Sequence, residues 1–240
     1  MDFLQRIDWS AFFAFVAIAL SQLPPIKFWR RQQLKVEVYS RANISHLIGN
    51  PGVGLVVNVR NLGGRSARIR SLKMNIEREG SHVADLHPTH HYESLSSNNA
   101  LIYVPVELAA GQSWMGSLVF SKELKRAEEL EYRRLTTAIR KEIADKIAAR
   151  PANQFGMVTA EESFYQPFIR MYEREFRWVP GDYKLTISLV IEGTDQIFPA
   201  AYRFTLYDFE VDQLAQYTEQ YKYGHVETTG PGVSVPLLPL

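Results

Sequence analysis

The residues best suited to chemistry are three histidines in the stretch "DLHPTHHYES": His87, His90 and His91, with Asp85 and Glu93 beside them. Imidazole and carboxylate groups ligate divalent ions such as zinc, so the cluster is a candidate metal site. Its spacing matches no ligand motif, and Pro88 implies a loop from which the side chains diverge. A polar hairpin loop with surface histidines is the competing reading. Other catalytic chemistry is poorly provided for. The chain has no cysteine, which removes thiol nucleophiles, thiolate metal sites and disulfides together. It also lacks a Gly-rich phosphate loop with Lys-Ser/Thr, a Gly-x-Ser-x-Gly turn and a His-Glu-x-x-His pair. Carboxylates on the helical stretches accompany Lys and Arg, as on a solvated face, and no acid–base pair stands out. The expectation is a protein without enzymatic activity or cofactor. The alternative is a metal-dependent enzyme or metal-binding protein using His87, His90 and His91.

The elements that would position such residues begin with an apolar run. Between Ile7 and Ile26 the polar interruptions are Asp8, Ser10, Ser21 and Gln22, and about twenty residues are needed to cross a bilayer as a helix. Phe12, Phe13, Phe15, Val16, Ile18, Leu20 and Leu23 favour insertion by roughly 2–4 kcal/mol. A cleaved signal peptide fits less well, because "MDFLQRID" is not basic overall and the positive charge follows the apolar run. Residues 1–26 are therefore expected to form a transmembrane anchor and 27–33 a basic linker. Lys27, Phe28, Trp29, Arg30, Arg31 and Lys35 flank the membrane in this reading, and the positive-inside bias puts the remainder on the cytoplasmic side of the inner membrane. The same fold in the periplasm is the alternative. From Lys27 to Gly80 there are eleven Lys/Arg against three acidic residues, whereas from Ser81 onward there are fifteen against twenty-one. A basic half beside an apolar segment points to an anionic leaflet as neighbour. The basic face of Arg60, Arg65, Arg68, Arg70 and Lys73 comes without aromatic stacking platforms, so no nucleic acid is expected.

Beyond Leu34 the apolar period becomes two, the signature of half-buried strands. "LKVEVYS" alternates, "VVNVRNLGGRSARIRSL" reads as strand, turn and strand with a bulge near Ser71, and Tyr183, Leu185, Ile187, Leu189 and Ile191 share one face of another strand. "LIYVPVEL" and "SWMGSLVF" flank "AAGQ" as a hairpin-like pair. Seven or eight such strands suggest an antiparallel sandwich. "VVNVRNLGGRSARIRSL" resembles the strand, Asn-x-Gly turn and strand of bacterial immunoglobulin-like domains, and "WVPGDYKLTISLVIEG" resembles the Pro-Gly-x-Tyr approach to their late hairpin. The resemblance covers roughly 36–206 and implies an immunoglobulin-like antiparallel β-sandwich over 34–217, with no catalytic residues.

A helical insertion at about 121–177 interrupts that pattern. Its first helix should run from an N-cap at Ser121 to Arg150, with Leu135, Ile139, Ile143 and Ile147 in a narrow apolar stripe, either lying on the domain or projecting to a partner or a second copy. The second carries Phe164, Phe168, Tyr172 and Phe176 every four residues, and Pro167 argues for two short pieces. Residues 218–240, ending "VPLLPL", read as a flexible tail. The function expected from all of this is a single-pass interaction or scaffold protein in a membrane assembly.

Overall fold

The computed structural model describes residues 9–22, 33–92, 101–151, 155–193 and 197–240. Alternating side chains form the strands β1 (Leu34–Leu47), β2 (Asn50–Asn61), β3 (Ala67–Arg78), β4 (Ser81–Tyr92), β5 (Leu101–Ile102), β6 (Val106–Leu108), β7 (Ser113–Ser121), β8 (Gly181–Ile191), β9 (Ile197–Leu206), β10 (Val233–Pro236) and β11 (Leu238–Pro239). The helices are α1 (Trp9–Gln22), α2 (Arg126–Ala148), α3 (Glu162–Glu175) and α4 (Asp208–Gln216), followed by a 3-10 helix at Tyr217–Tyr223. In β8, Tyr183, Leu185, Ile187, Leu189 and Ile191 are buried and Lys184 is exposed, as a period of two requires. The bulge read near Ser71 lies between Ile69 and Ser71.

The strands join in the order β10-β1-β2-β7-β4-β3-β8-β9-β11, and every pairing is antiparallel. Two chain segments change partners and so bend the sheet round on itself. The first part of β4 pairs with β3, up to Leu86 opposite Met74. From His87 onward β4 pairs with β7, with a register shift between Pro88 and His90. β5 and β6 fill the notch this opens, on β4 and β3 respectively. At the other margin Val233–Pro236 pair with Ile44–Arg41 of β1, and Leu238 and Pro239 then pair with Arg203 and Tyr202 of β9. Between them the Leu237 N–H donates to the Ser40 carbonyl, and the Val38 N–H donates across the seam to the Tyr202 hydroxyl at 3.2 Å.

These pairings correct the expected fold. The mainly β, antiparallel character stands, but the immunoglobulin-like sandwich of two separate sheets gives way to one nearly closed, barrel-like sheet. Alternation fixes which face of a strand is buried and says nothing of its partner, and two segments that serve both halves convert a sandwich into a barrel. The stretch 218–240 is likewise not a free tail, since it supplies most of the 3-10 helix and both closing strands, with Val235 and Leu237 buried. The expected hairpin around "AAGQ" is a crossing: β6 pairs with β3, and β7 with β2 and β4.

The transmembrane expectation is corrected too. Among the described residues no helix is long and apolar enough to cross a membrane. α1 has 14 residues, about 21 Å of helix against a hydrocarbon core of about 30 Å. Lys27, Phe28, Trp29, Arg30 and Arg31 lie outside the described residues. Lys35 is the second residue of β1, opposite Arg60 and ion-paired with Glu37 at 2.7 Å.

The interior of the barrel is filled. Ile44, Val57, Ile69, Leu72, Phe120 and Ile187 meet there with Trp178, whose indole N–H donates to the Ser45 carbonyl at 2.8 Å. A second core lies between α2, α3 and the 3-10 helix, around Ile48, Ile139, Phe168, Met171, Tyr221 and Val226. α2 starts at Arg126 rather than after Ser121, which ends β7; the Lys125 N–H donates to the Glu128 carboxylate at 3.0 Å, satisfying one donor of the first turn. α3 runs unbroken through Pro167. The missing proline N–H forfeits one bond, to Ser163 near the helix start, and burial of Phe168 and Met171 outweighs it.

The two ends of the barrel differ. At the near rim the chain arrives from α1, and the Leu62 N–H donates to the Gln33 carbonyl at 2.8 Å. The far rim is covered by helices. There Gly49, at φ +81°, lies so close to α3 that a Cβ would stand 2.6 Å from the Tyr172 carbonyl oxygen.

Candidate functional site

The three candidate metal ligands are held on a strand and not on a loop. His87, His90 and His91 face Ser121, Val119 and Leu118 across the β4–β7 pairing, and Pro88, opposite Phe120, directly precedes the bulge. Successive strand residues point to opposite faces, so His90 and His91 diverge. Asp85 is engaged elsewhere, accepting from the Asn75 amide at 2.9 Å and lying 3.7 Å from His82. Glu93 lies outside the described residues. Among the described residues no group of three or more His, Asp or Glu is placed to hold a metal ion.

The histidine with the most determined environment is one the sequence does not single out. His46, on β1, is 2% exposed. The Gly49 N–H donates to its Nδ1 at 3.1 Å, and its Nε2 lies 2.9 Å from the Leu214 carbonyl oxygen. With Nδ1 accepting, Nε2 carries the proton, and the ring is neutral. Tyr172, Phe176 and Tyr217 surround it. Burial holds its pKa below the ordinary value, opposed by the Leu214 carbonyl. A single histidine in strand alternation gives no signal of this, because its partners lie 3 and 168 residues away.

Asn61 has a comparable role at the near rim. Its side-chain amide donates to the carbonyls of Arg65, Leu108 and Ala109 at 2.8, 3.0 and 3.2 Å, and its oxygen accepts from the Gly63 N–H. One side chain thus holds the β2–β3 turn against the crossing from β6 to β7. At the far rim, Glu175 joins α3 to the end of β7 through Lys122 at 3.0 Å, and its neighbour Arg174 also lies at 3.0 Å. Burial works to raise the Glu175 pKa, but the bonds from Lys122 and Arg174 together hold it below the ordinary carboxylate range.

Two larger cavities among the described residues are surface grooves. One of about 620 Å³ lies between β8, β9 and the C-terminal strands, with Asp182, Lys184, Arg203 and Glu210 on its walls. Another, of about 460 Å³, runs over the outer face of β2, β7 and β4 beneath Glu227–Thr229, and takes in His90, Tyr92 and Asn50. The second is lined by Ser121, His90 and Glu227, but among the described residues no hydrogen bond links them as nucleophile, base and orienting group, and Glu227 is ion-paired with Arg140.

No known family model matches the chain, and no curated protein matches it. A solved structure described as a protein from Archaeoglobus fulgidus is similar over 74% of this chain and 98% of its own, at 14% identity and a TM-score of 0.28. A likeness that weak carries no argument about fold or function.

The remaining candidates are surfaces. In the stripe on α2, Ile139 is fully buried, Leu135 and Ile143 pack against the second core, and Ile147 is 56% exposed. The helix lies on its own domain and does not project. α1 is different: its sequence is apolar from Ala11 to Leu20, yet Phe13, Phe15 and Ile18 are 63%, 71% and 61% exposed. Those positions are spread around the helix at 100° per residue, so exposure is not confined to one side.

Proposed function

We propose that this protein is a non-catalytic interaction module held at an anionic membrane face. In this reading α1 is covered by lipid, and the barrel with its helical layer presents surfaces to protein partners in a membrane assembly. The observation that carries the reading is the exposure of Phe13, Phe15 and Ile18 on a helix with no polar side among them. A helix apolar all round belongs in an apolar surrounding. Lipid cover of α1 is all that is required, at a depth its roughly 21 Å allows. The basic sequence after it, Lys27, Arg30 and Arg31, supports the cytoplasmic face of the inner membrane as the location, where the leaflet is anionic. A barrel interior filled by side chains favours binding on outer surfaces over a reaction carried out inside it. The outer side of α2, with Leu130 and Ile147 exposed, is the proposed contact for a protein partner or a second copy.

Flotation with phosphatidylcholine vesicles tests the reading. The full chain should float with the vesicles, and the Phe13→Ser, Phe15→Ser, Ile18→Ser triple variant should stay in the dense fraction. A triple variant that floats as well as the parent would refute it.

A further inference from the structure

Given lipid cover of α1, on which this step rests, we propose that the near rim of the barrel is a docking surface for anionic lipid headgroups. Its contact residues are Lys35, Arg60, Arg65, Arg68 and Arg70. All are exposed, and all lie at the end where the chain arrives from α1. Lys35 and Arg60 are cross-strand neighbours on β1 and β2. The Arg65 carbonyl is tied to Asn61 in the adjoining turn, and the Arg68 carbonyl accepts from the Glu192 N–H. Arg70 stands in the β3 bulge at the same end of the sheet.

Among the described residues, the carboxylates at this rim do not cancel the charge. Glu37 is bound to Lys35 at 2.7 Å and Glu192 to Arg68 at 3.2 Å, and Glu107 lies opposite Arg68 in the β3–β6 pairing. Arg70 is in no ion pair among the described residues, and Arg60 makes no direct ion pair there but lies near enough to Glu37 to help hold its pKa down, after Lys35. The opposite end mixes the signs, with Glu77, Glu79, Asp182, Asp208 and Glu210 beside Arg78, Lys184 and Arg203. The excess of positive charge therefore falls at the end toward α1.

The tether to α1 bounds how far the near rim can lie from the bilayer. Gln33 at the rim follows Gln22 of α1 by eleven residues, and whatever path they take they span at most about 40 Å. Strands such as β3, with 12 residues, put the far rim roughly another 40 Å away. The tether is about as long as the barrel is tall, so both rims can reach the headgroups, and the charge at the near rim favours that end. Charge complementarity with an anionic leaflet makes that proximity attractive, by about fivefold in affinity for each cation at the surface.

The test is binding of the full chain to vesicles of phosphatidylcholine alone and to vesicles also containing phosphatidylglycerol, at low and high salt. The parent should prefer the anionic vesicles by about tenfold or more at low salt, and the preference should shrink at high salt. A Lys35→Gln, Arg60→Gln, Arg70→Gln variant should keep its binding to neutral vesicles and lose the preference. A Lys184→Gln, Arg203→Gln variant, altered away from the rim, should keep both. Equal binding of the parent to the two vesicle types, or an undiminished preference in the rim variant, overturns the docking surface and leaves lipid cover of α1 standing. Absence of binding to either vesicle overturns the α1 reading itself. Nucleic acid displacing the vesicles in competition would reassign the rim to a different polyanion.

Discussion

His46 on β1 donates its Nε2 proton to the carbonyl of Leu214 on α4 across 2.9 Å, tying the barrel wall to the helical layer. The bond exists only in one tautomer, because the Gly49 N–H already occupies Nδ1. Protonating Nδ1 would set two donors against each other in a site ringed by Tyr172, Phe176 and Tyr217.

A pH dependence follows. The pKa of His46 is lowered on folding, chiefly by burial, so between the folded and unfolded values the unfolded chain binds more protons. The stabilisation is fully present above the ordinary value of about 6.5 and is lost progressively as pH falls toward the folded value. Thermal melts should show the midpoint falling between about pH 7.5 and pH 5.5. His46→Gln should cost about 1–3 kcal/mol at neutral pH while flattening the slope in that window. A slope the variant leaves unchanged would assign the dependence to another group.

The closing strands carry a second expectation. Leu237 is buried where the C-terminal strand passes from β1 to β9. Leu237→Ala should destabilise the protein by roughly 2–4 kcal/mol. Hydrogen exchange should quicken first at amides along the seam, around Arg41–Ile44 and Tyr202–Arg203. Uniform acceleration across the barrel would mean that the clip does not open independently.

Asn61 offers a sharper contrast, because one amide serves three carbonyls. Asn61→Ala removes the amide donor from the Arg65 and Leu108 carbonyls, while the Ala109 carbonyl keeps the Gln112 N–H, and should cost about 1–3 kcal/mol. Asn61→Asp keeps the acceptor for the Gly63 N–H but turns a carboxylate toward carbonyl oxygens, and should be at least as damaging. Chemical denaturation of both variants checks the ordering.

The helical layer can be probed through Ile139, which is fully buried against α3 and the 3-10 helix. Ile139→Ala should cost about 2–5 kcal/mol, whereas Ile147→Ala, at an exposed position, should lie within about 0.5 kcal/mol of the parent. Similar small effects at both positions would favour a projecting helix.

Much of the β architecture is legible in the sequence because alternation is a local property. Tyr183 to Ile191 and the bulge beside Ser71 can be read from a dozen residues. Closure is not legible, because it depends on partners far apart in sequence. "VPLLPL" reads as a tail on account of its prolines. Yet Pro236 sits where the strand trades β1 for β9, and Pro239 ends the short β11 on the outermost strand, positions that prolines tolerate. Pro88 misleads in the same way, marking a bulge within β4 where a loop is expected. Pro167 argues too strongly against α3, since a lost bond is local and visible while the burial of Phe168 and Met171 against another helix is neither. The candidate histidines are set apart for a related reason: their spacing reads as loop spacing, and strand alternation turns neighbours to opposite faces. The apolar character of α1 is plain in the sequence, but among the described residues its helix has 14 residues, shorter than the expected span.

The most direct test of lipid cover exploits the lack of native cysteine. A Phe15→Cys chain bearing a nitroxide label, bound to vesicles, can be compared with a Met157→Cys chain, labelled at an exposed site outside α1. The label at position 15 should relax readily with dissolved oxygen and poorly with a water-soluble nickel chelate, and the label at position 157 should show the reverse. Equal access of the nickel chelate to both labels would contradict lipid cover of α1 and, with it, the proposed membrane role.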